Sequence, residues 1–250
     1  MLEIVERDRI VYLRVPTPAA LGAESTRLAW VLADACAAID EREQPPAGVA
    51  LVSAGGAYCV AAPRGAADCD AAAPAWAVAT GAVAGLGPPT VAAIGADAIG
   101  PAWELALACD LRLAAAQARL GSPEVRWGRL PAAGGTQRLT RAVGSAEALR
   151  LLLLAEVLPA PEALARGLVH RVAPAADLEA HLEALLEPLR ASAPIALAYA
   201  KEAIHSAGQS PLALGLRLEA DLAALLQTTT DRAEGLAAFR QRRRPRFEAR

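Results

Sequence analysis

Two periodicities alternate along the first half of the chain. Leu2 to Val5 and Ile10 to Val15 are short β-prone runs, and the turn-like Arg-Asp-Arg between them predicts an opening hairpin. Thr26 to Arg42 then carries Leu28, Val31, Leu32, Ala35 and Ile39 at helical spacing, with Pro45-Pro46 as the stop. Gly48 to Ser53 predicts a buried strand that ends before Gly55-Gly56. Ala75 to Ala84 predicts a helix, which leads through Gly87-Pro88-Pro89 to a strand over Thr90 to Ile94. Strand, helix, strand, helix, strand is the order of an α/β fold with parallel pairing.

Beyond this, Trp103 to Ala108 predicts a helix, Leu111 to Ala114 a strand, and Gly121 to Gly135 a long glycine-punctuated loop. After Thr136 the pattern is almost wholly helical. Segments Ala146 to Leu153, Pro161 to Arg166, Leu178 to Ala191, Pro194 to Ala207 and Pro211 to Gln227 are separated by Gly, Pro or Ser, and a last short helix precedes a basic terminus. The sequence carries no internal repeat.

Composition narrows the partners. Of 250 residues, 54% are hydrophobic but only 4% aromatic, so the core is built from Ala, Leu and Val. Lys+Arg of 25 against Asp+Glu of 27 gives a net charge of -2, which offers no general attraction for nucleic acid or anionic lipid and points to a small-molecule partner. Cys36, Cys59, Cys69 and Cys109 form no C-x-x-C pair and have no histidines at zinc-ligand spacing, so reduced, mostly buried thiols are expected and no metal site is. The N-terminus mixes charges with apolar residues, unlike a signal peptide, and no segment reaches the length of a membrane span; a cytoplasmic location is the expectation.

Three other features carry little chemistry. Ala132-Ala133-Gly134-Gly135-Thr136 lacks the Lys-Ser/Thr ending of a phosphate-binding loop and is read as a packing loop beside the active site. His170, His181 and His205 lie far apart in the helical half and are expected to be structural or exposed. There is no G-x-S-x-G elbow to support a serine nucleophile.

The informative stretch is Thr90 to Leu139. A short apolar strand runs into a small-residue turn, then a Glu-Leu-Ala-Leu-Ala-Cys-Asp helix, a Pro-Glu dipeptide and a Gly-Gly-Thr-Gln-Arg loop. In order and spacing this resembles the enoyl-CoA hydratase/isomerase (crotonase) family. The resemblance extends to the opening hairpin, to GGAYCVAAP, to Ala-Arg-Gly-Leu-Val-His-Arg-Val and to the closing Glu-Gly-Leu-Ala-Ala-Phe, so it covers essentially the whole chain.

The resemblance implies an α/β fold of ClpP/crotonase type, a spiral of ββα units over residues 1–190, with a C-terminal helical trimerisation region over 191–250. It implies a homotrimer or hexamer that takes an acyl-CoA thioester, with coenzyme A arriving as part of the substrate and no tightly bound cofactor, in fatty acid metabolism. It also implies the family's shared chemistry, in which two backbone N–H groups stabilise a thioester enolate. Glu104 and Glu124 match the two carboxylates that hydratases of the family turn on one water. Hydrating an α,β-unsaturated thioester needs a base for the water proton and an acid for the α-carbon, and two glutamates can divide these roles. Ala62 and Pro101 match the two oxyanion-hole positions. Tyr58, Ala61, Gly100 and Trp103 fall at substrate-binding positions, with Trp103 either lining the acyl pocket or belonging to the core.

This sequence departs from the family pattern at both halves of the hole. Ala61 replaces a flexible glycine, and Pro63 restricts the backbone of Ala62. Pro101 stands where the family carries a small residue with a backbone donor, and proline has no N–H to give. The alternative reading of Pro101 is a favourable first residue of a helix, where a missing N–H leaves no intrahelical bond broken. Three functions follow: hydration or isomerisation of an enoyl-CoA, another enolate reaction such as decarboxylation, or acyl-CoA binding without efficient turnover. For the phosphates of CoA the basic candidates are Arg14 and, reaching a neighbouring subunit, Arg242, Arg243, Arg244 and Arg246.

Overall fold

The computed structural model of the chain describes residues 2–16, 23–53 and 66–250. In chain order the strands are β1 (Glu3–Arg7), β2 (Ile10–Val15), β3 (Gly48–Ser53), β4 (Thr90–Ile94), β5 (Ala98–Ile99), β6 (Leu111–Ala115), β7 (Arg119–Gly121), β8 (Val157–Pro159) and β9 (Arg171–Ala173). The helices are α1 (Ala23–Asp40), α2 (Ala66–Gly85), α3 (Pro101–Ala108), α4 (Gly135–Leu153), α5 (Ala160–Ala165), α6 (Leu178–Arg190), α7 (Pro194–Ala207), α8 (Leu212–Leu226) and α9 (Thr230–Gln241).

Six strands form one sheet in the order β1-β2-β3-β4-β6-β9, with β1 antiparallel to β2 and every other pair parallel. The predicted strands Gly48–Ser53 and Thr90–Ile94 are found with the same bounds. All five residues of β4 are buried, as a parallel strand covered on both faces requires. Alternate residues divide between two cores. Val49 and Leu51 face the layer containing α1, α2 and α3, while Ala50 faces the α6 side with Ile10, Tyr12 and Val91.

Alanine makes the helical layer tight. Ala29 and Ala35 of α1 and Ala72, Ala75 and Ala79 of α2 are buried in the same core, where small side chains let the two helices approach closely. Trp76 fills the space that remains, and its indole N–H donates to the buried Ser25 hydroxyl at 2.9 Å.

Several elements differ from the sequence expectation. Helix α2 starts well before the predicted Ala75 and continues through Pro74, and α4 begins at Gly135 rather than Ala146, with non-helical backbone at Gly144. The C-terminal half is not purely helical. The three-residue strands β8 and β9 interrupt it, and β9 extends the main sheet beside β6. Strands this short are too brief to show alternation in sequence.

The C-terminal arm is pinned to the sheet by polar contacts. Lys201 on α7 donates to the Pro88 carbonyl at 3.1 Å and pairs with Asp110 at 2.9 Å, and Asp110 in turn accepts from the Thr90 N–H at 2.7 Å. The basic terminus folds back on α9. Asp231 accepts the N–H groups of Glu248 and Ala249, and Arg243 pairs bidentately with Glu234, so Arg243 is engaged within its own chain. Among the described residues no helix is long and apolar enough to cross a membrane.

Candidate active site

The site is assembled by a second, three-stranded sheet, β5-β7-β8. Its parallel β5–β7 pair sets Ala98 beside Leu120 and Ile99 beside Gly121. Immediately after β5 the chain turns at Gly100 into α3, and soon after β7 it enters a 3₁₀ turn over Glu124–Trp127. The Gly100 N–H donates to the Gly121 carbonyl at 2.9 Å, which locks the two exits together. Glu104, one turn into α3, and Glu124, first in the 3₁₀ turn, are thereby brought to one place although 20 positions separate them.

Both carboxyl groups line a single small cavity of about 30 Å³, together with Trp76, Pro101, Arg129 and Ala133. That is water-sized space, with the two carboxyls set in otherwise largely apolar walls. Both side chains are buried, at 2% and 5% exposure.

The two carboxyls have different partners. Oε1 of Glu104 accepts the N–H groups of Ala133 at 2.8 Å and Gly135 at 2.7 Å. Burial raises its pKa, against the opposing effects of those two donors and of the Arg138 charge. Oε2 of Glu124 is buried without a hydrogen-bond partner. Desolvation is the main cause that carries the Glu124 pKa up to about 7, opposed by its own backbone N–H, with the negative charge of Glu104 adding to the rise and Arg129 again opposing it. One carboxyl is thus equipped to hold a negative charge and its neighbour to keep a proton near neutral pH, a division suited to acid–base work.

Glycine is needed where the backbone approaches these groups. Gly100 has φ +64°, and a Cβ there would lie 2.7 Å from Oε1 of Glu124; at Gly135 it would lie 2.9 Å from Oε1 of Glu104.

Pro101 is the first residue of α3 and lines the cavity. The helical ladder starts with the Glu104 N–H donating to the Gly100 carbonyl at 3.0 Å, so the N–H groups of Ala102 and Trp103 fall outside it. Both readings of Pro101 therefore meet at this residue: it occupies the first helical position, and it presents no donor to the cavity.

Trp103 is 2% exposed and belongs to the main core with Leu120, Leu139 and Leu158; it is not among the residues lining the glutamate cavity. Successive residues of α3 point in different directions, so Glu104 takes the glutamate cavity while Trp103 borders a separate small cavity with Leu120, Ser122 and Leu158. Tyr58, Ala61, Ala62 and Pro63 lie outside the described residues. Arg14 forms an ion pair with Glu3 at 3.6 Å on the surface. Cys36 and Cys109 are free and buried, their thiols pushed up to about 12 chiefly by burial. His170 is structural, its Nδ1 accepting the Arg112 N–H at 3.1 Å. Among the described residues no cluster of His, Cys, Asp and Glu is set to hold a metal ion.

Burial of Glu124 has a consequence for stability. Its folded pKa stands above its ordinary value of 4.5, so the folded chain keeps a proton that the unfolded chain has lost. The stability this gives is present below about pH 4.5 and is lost as pH rises through about 7, amounting to about 3 kcal/mol at roughly 1.4 kcal/mol per unit. Glu124→Gln is expected to hold its urea midpoint better than wild type between pH 5 and pH 8. Identical pH dependence in the two proteins would show that Glu124 titrates normally.

Comparisons with known proteins agree with the fold. The enoyl-CoA hydratase/isomerase family model matches residues 54–250. The chain is 37% identical over 251 residues to "Probable enoyl-CoA hydratase echA8" of Mycobacterium bovis, covering 98% of this chain and 96% of that protein. It is 42% identical over 163 residues to the 2,3-dehydroadipyl-CoA hydratase of Escherichia coli, covering 65% of this chain and 64% of that protein. Among solved structures, an enoyl-CoA hydratase from Bacillus anthracis superposes with a TM-score of 0.88 at 31% identity, covering 100% of this chain and 99% of that one. The α/β architecture, the paired glutamates beside the α3 turn and a match running the length of the sequence lead to one conclusion: the chain belongs to the enoyl-CoA hydratase/isomerase, or crotonase, family.

Proposed function

We propose that the chain hydrates an α,β-unsaturated acyl-CoA thioester, with Glu104 as the base and Glu124 as the acid of the reaction. The observation carrying this reading is the shared cavity, in which one carboxyl receives two backbone N–H bonds while the other is buried with an unpartnered oxygen. Glu104 takes a proton from water as its oxygen bonds to the β-carbon. The electron pair of the double bond moves onto the thioester as an enolate, and Glu124 delivers a proton to the α-carbon. Ala62 N–H is the proposed donor to the enolate oxygen, with coenzyme A entering only as part of the substrate.

Assembly as a homotrimer or hexamer through residues 191–250 belongs to the same proposal. Its support is the apolar surface that α7, α8 and α9 leave uncovered: Ile204 is 70%, Leu212 78% and Phe239 83% exposed. The proposed location is the cytoplasm.

Loss of enoyl absorbance from crotonyl-CoA and longer enoyl-CoAs, followed with purified protein whose assembly is read by sedimentation, tests both parts. Turnover by a species larger than one chain is the expected result. Binding of acyl-CoA with no turnover across the series would replace hydration with a binding role. Products from a malonyl- or glutaconyl-type CoA panel with enoyl-CoAs untouched would replace it with decarboxylation.

A further inference from the structure

The donors that hold Glu104 belong to residues 131–135, which pass from irregular backbone into the start of α4. What fixes this segment is a grip on one carbonyl. The Ala133 carbonyl accepts from Thr80 Oγ1 at 2.9 Å and from Arg138 Nη1 at 2.7 Å. Arg138 Nη2 reaches on to the Thr80 carbonyl at 3.4 Å, tying α4 to α2 across the segment. The same residue, Ala133, donates its N–H to Glu104. Gly134 makes room for the grip: its φ is +98°, and a Cβ there would lie 2.2 Å from Arg138 Nη1.

Neither Arg138 nor Thr80 lines the glutamate cavity, so neither is placed to touch a reacting atom. Both are nevertheless one residue removed from the carboxyl that the proposed reaction needs as its base. Thr80 is fully buried, and its single hydroxyl proton is shared between the Ala133 carbonyl and the Trp76 carbonyl of its own helix, both at 2.9 Å.

We infer that Arg138, braced by Thr80, is the positioning residue of this site: it holds the segment that aims the Ala133 and Gly135 N–H groups at Glu104, and its positive charge adds to their effect on that carboxyl. The inference rests on the acid–base reading of the pair. Among the described residues, the charged or titratable groups acting on this cluster are Arg138 from α4, Glu124 from the 3₁₀ turn, Arg129 beyond that turn and the buried Cys109 thiol at the end of α3. Cys109 stays neutral, and α2 contributes Thr80 and Trp76, neither of which titrates at working pH. Arg138 is therefore the cation that acts on Glu104, while Arg129 acts on Glu124.

The test compares Arg138→Met, Arg138→Lys, Thr80→Val and Thr80→Ser with wild type by steady-state kinetics across pH and by ¹³C NMR titration of the Glu104 carboxyl, assigned with Glu104→Gln. Arg138→Met is expected to lower kcat about 100-fold, the scale for a misplaced catalytic group, with KM nearly unchanged. Its acidic limb and its Glu104 resonance should both titrate at higher pH than in wild type. Arg138→Lys should recover part of the shift, and Thr80→Ser should recover what Thr80→Val loses. A purely structural grip would lower the melting temperature and leave the Glu104 titration where it was, which overturns the inference. If Arg138→Met does not fold, the Thr80 pair carries the same comparison through the altered hydrogen bonding of Ala133. Absence of turnover in wild type would defeat the hydratase reading alone, since the NMR titration still decides whether Arg138 governs Glu104.

Discussion

Glu104→Gln is expected to lower kcat for enoyl-CoA hydration by about 100- to 10,000-fold, the range supplied by a positioned proton-transfer group. The substitution separates chemistry from architecture. An amide oxygen at the Oε1 position still accepts the Ala133 and Gly135 N–H bonds that reach it at 2.8 and 2.7 Å, so the 131–135 segment and the start of α4 stay in place. What disappears is the ability to take a proton from water. KM should change little, because the side chain faces a water-sized cavity and makes no part of the surface expected to hold coenzyme A. Burial raises the Glu104 pKa, so removing the charge also removes a desolvation penalty, and the variant should be at least as stable as wild type. Stopped-flow hydration kinetics alongside urea unfolding measure both quantities. A folded Gln variant within a few-fold of wild-type kcat would remove Glu104 from the mechanism.

Glu104 and Glu124 were readable from sequence because two short local patterns, the Glu-Leu-Ala helix and the Pro-Glu dipeptide, carry them in a fixed order. Chain order alone could not reveal why they meet. The cause is the two-residue pairing of β5 with β7 and one bond between Gly100 and Gly121, too small a feature to leave a periodic signal. Thr80 and Arg138 were missed for a related reason. Thr80 sits in an Ala-rich helix whose composition gives no amphipathic stripe, and its role appears only when a loop from 53 positions later lays a carbonyl against it. Arg138 is visible within Gly-Gly-Thr-Gln-Arg, and the sequence predicts a packing loop beside the active site there; what it does not show is that the glycines serve side-chain approach, Gly134 clearing Arg138 and Gly135 clearing Glu104. Trp103 shows the converse. It stands next to Glu104 in sequence, yet one step along a helix turns a side chain by about 100°, and here that step carries it into the core, beside a separate cavity lined by Leu120, Ser122 and Leu158.

Pro101→Gly is expected to raise kcat by about 100- to 1,000-fold, the effect of one oxyanion-hole donor, or roughly 3 to 4 kcal/mol of transition-state stabilisation. Pro101 lines the cavity with both glutamates, at the N-terminal end of α3 where backbone N–H groups point out of the helix. Glycine restores a donor at that position without adding a side chain to the wall. The exchange also frees a backbone that proline restrains, so a loss of about 1 kcal/mol in folding stability should accompany the gain in rate. Pro101→Ala distinguishes the two effects, because alanine restores the N–H with far less backbone freedom than glycine. If the donor matters, both variants accelerate turnover and both tighten binding of an enolate-like inhibitor more than binding of substrate. If only glycine accelerates it, backbone freedom at the turn limits the rate. If neither does, the thioester oxygen is already served by another donor, and the N–H groups of Ala102 and Trp103, which stand outside the helical ladder one and two residues further on, are where it would be found.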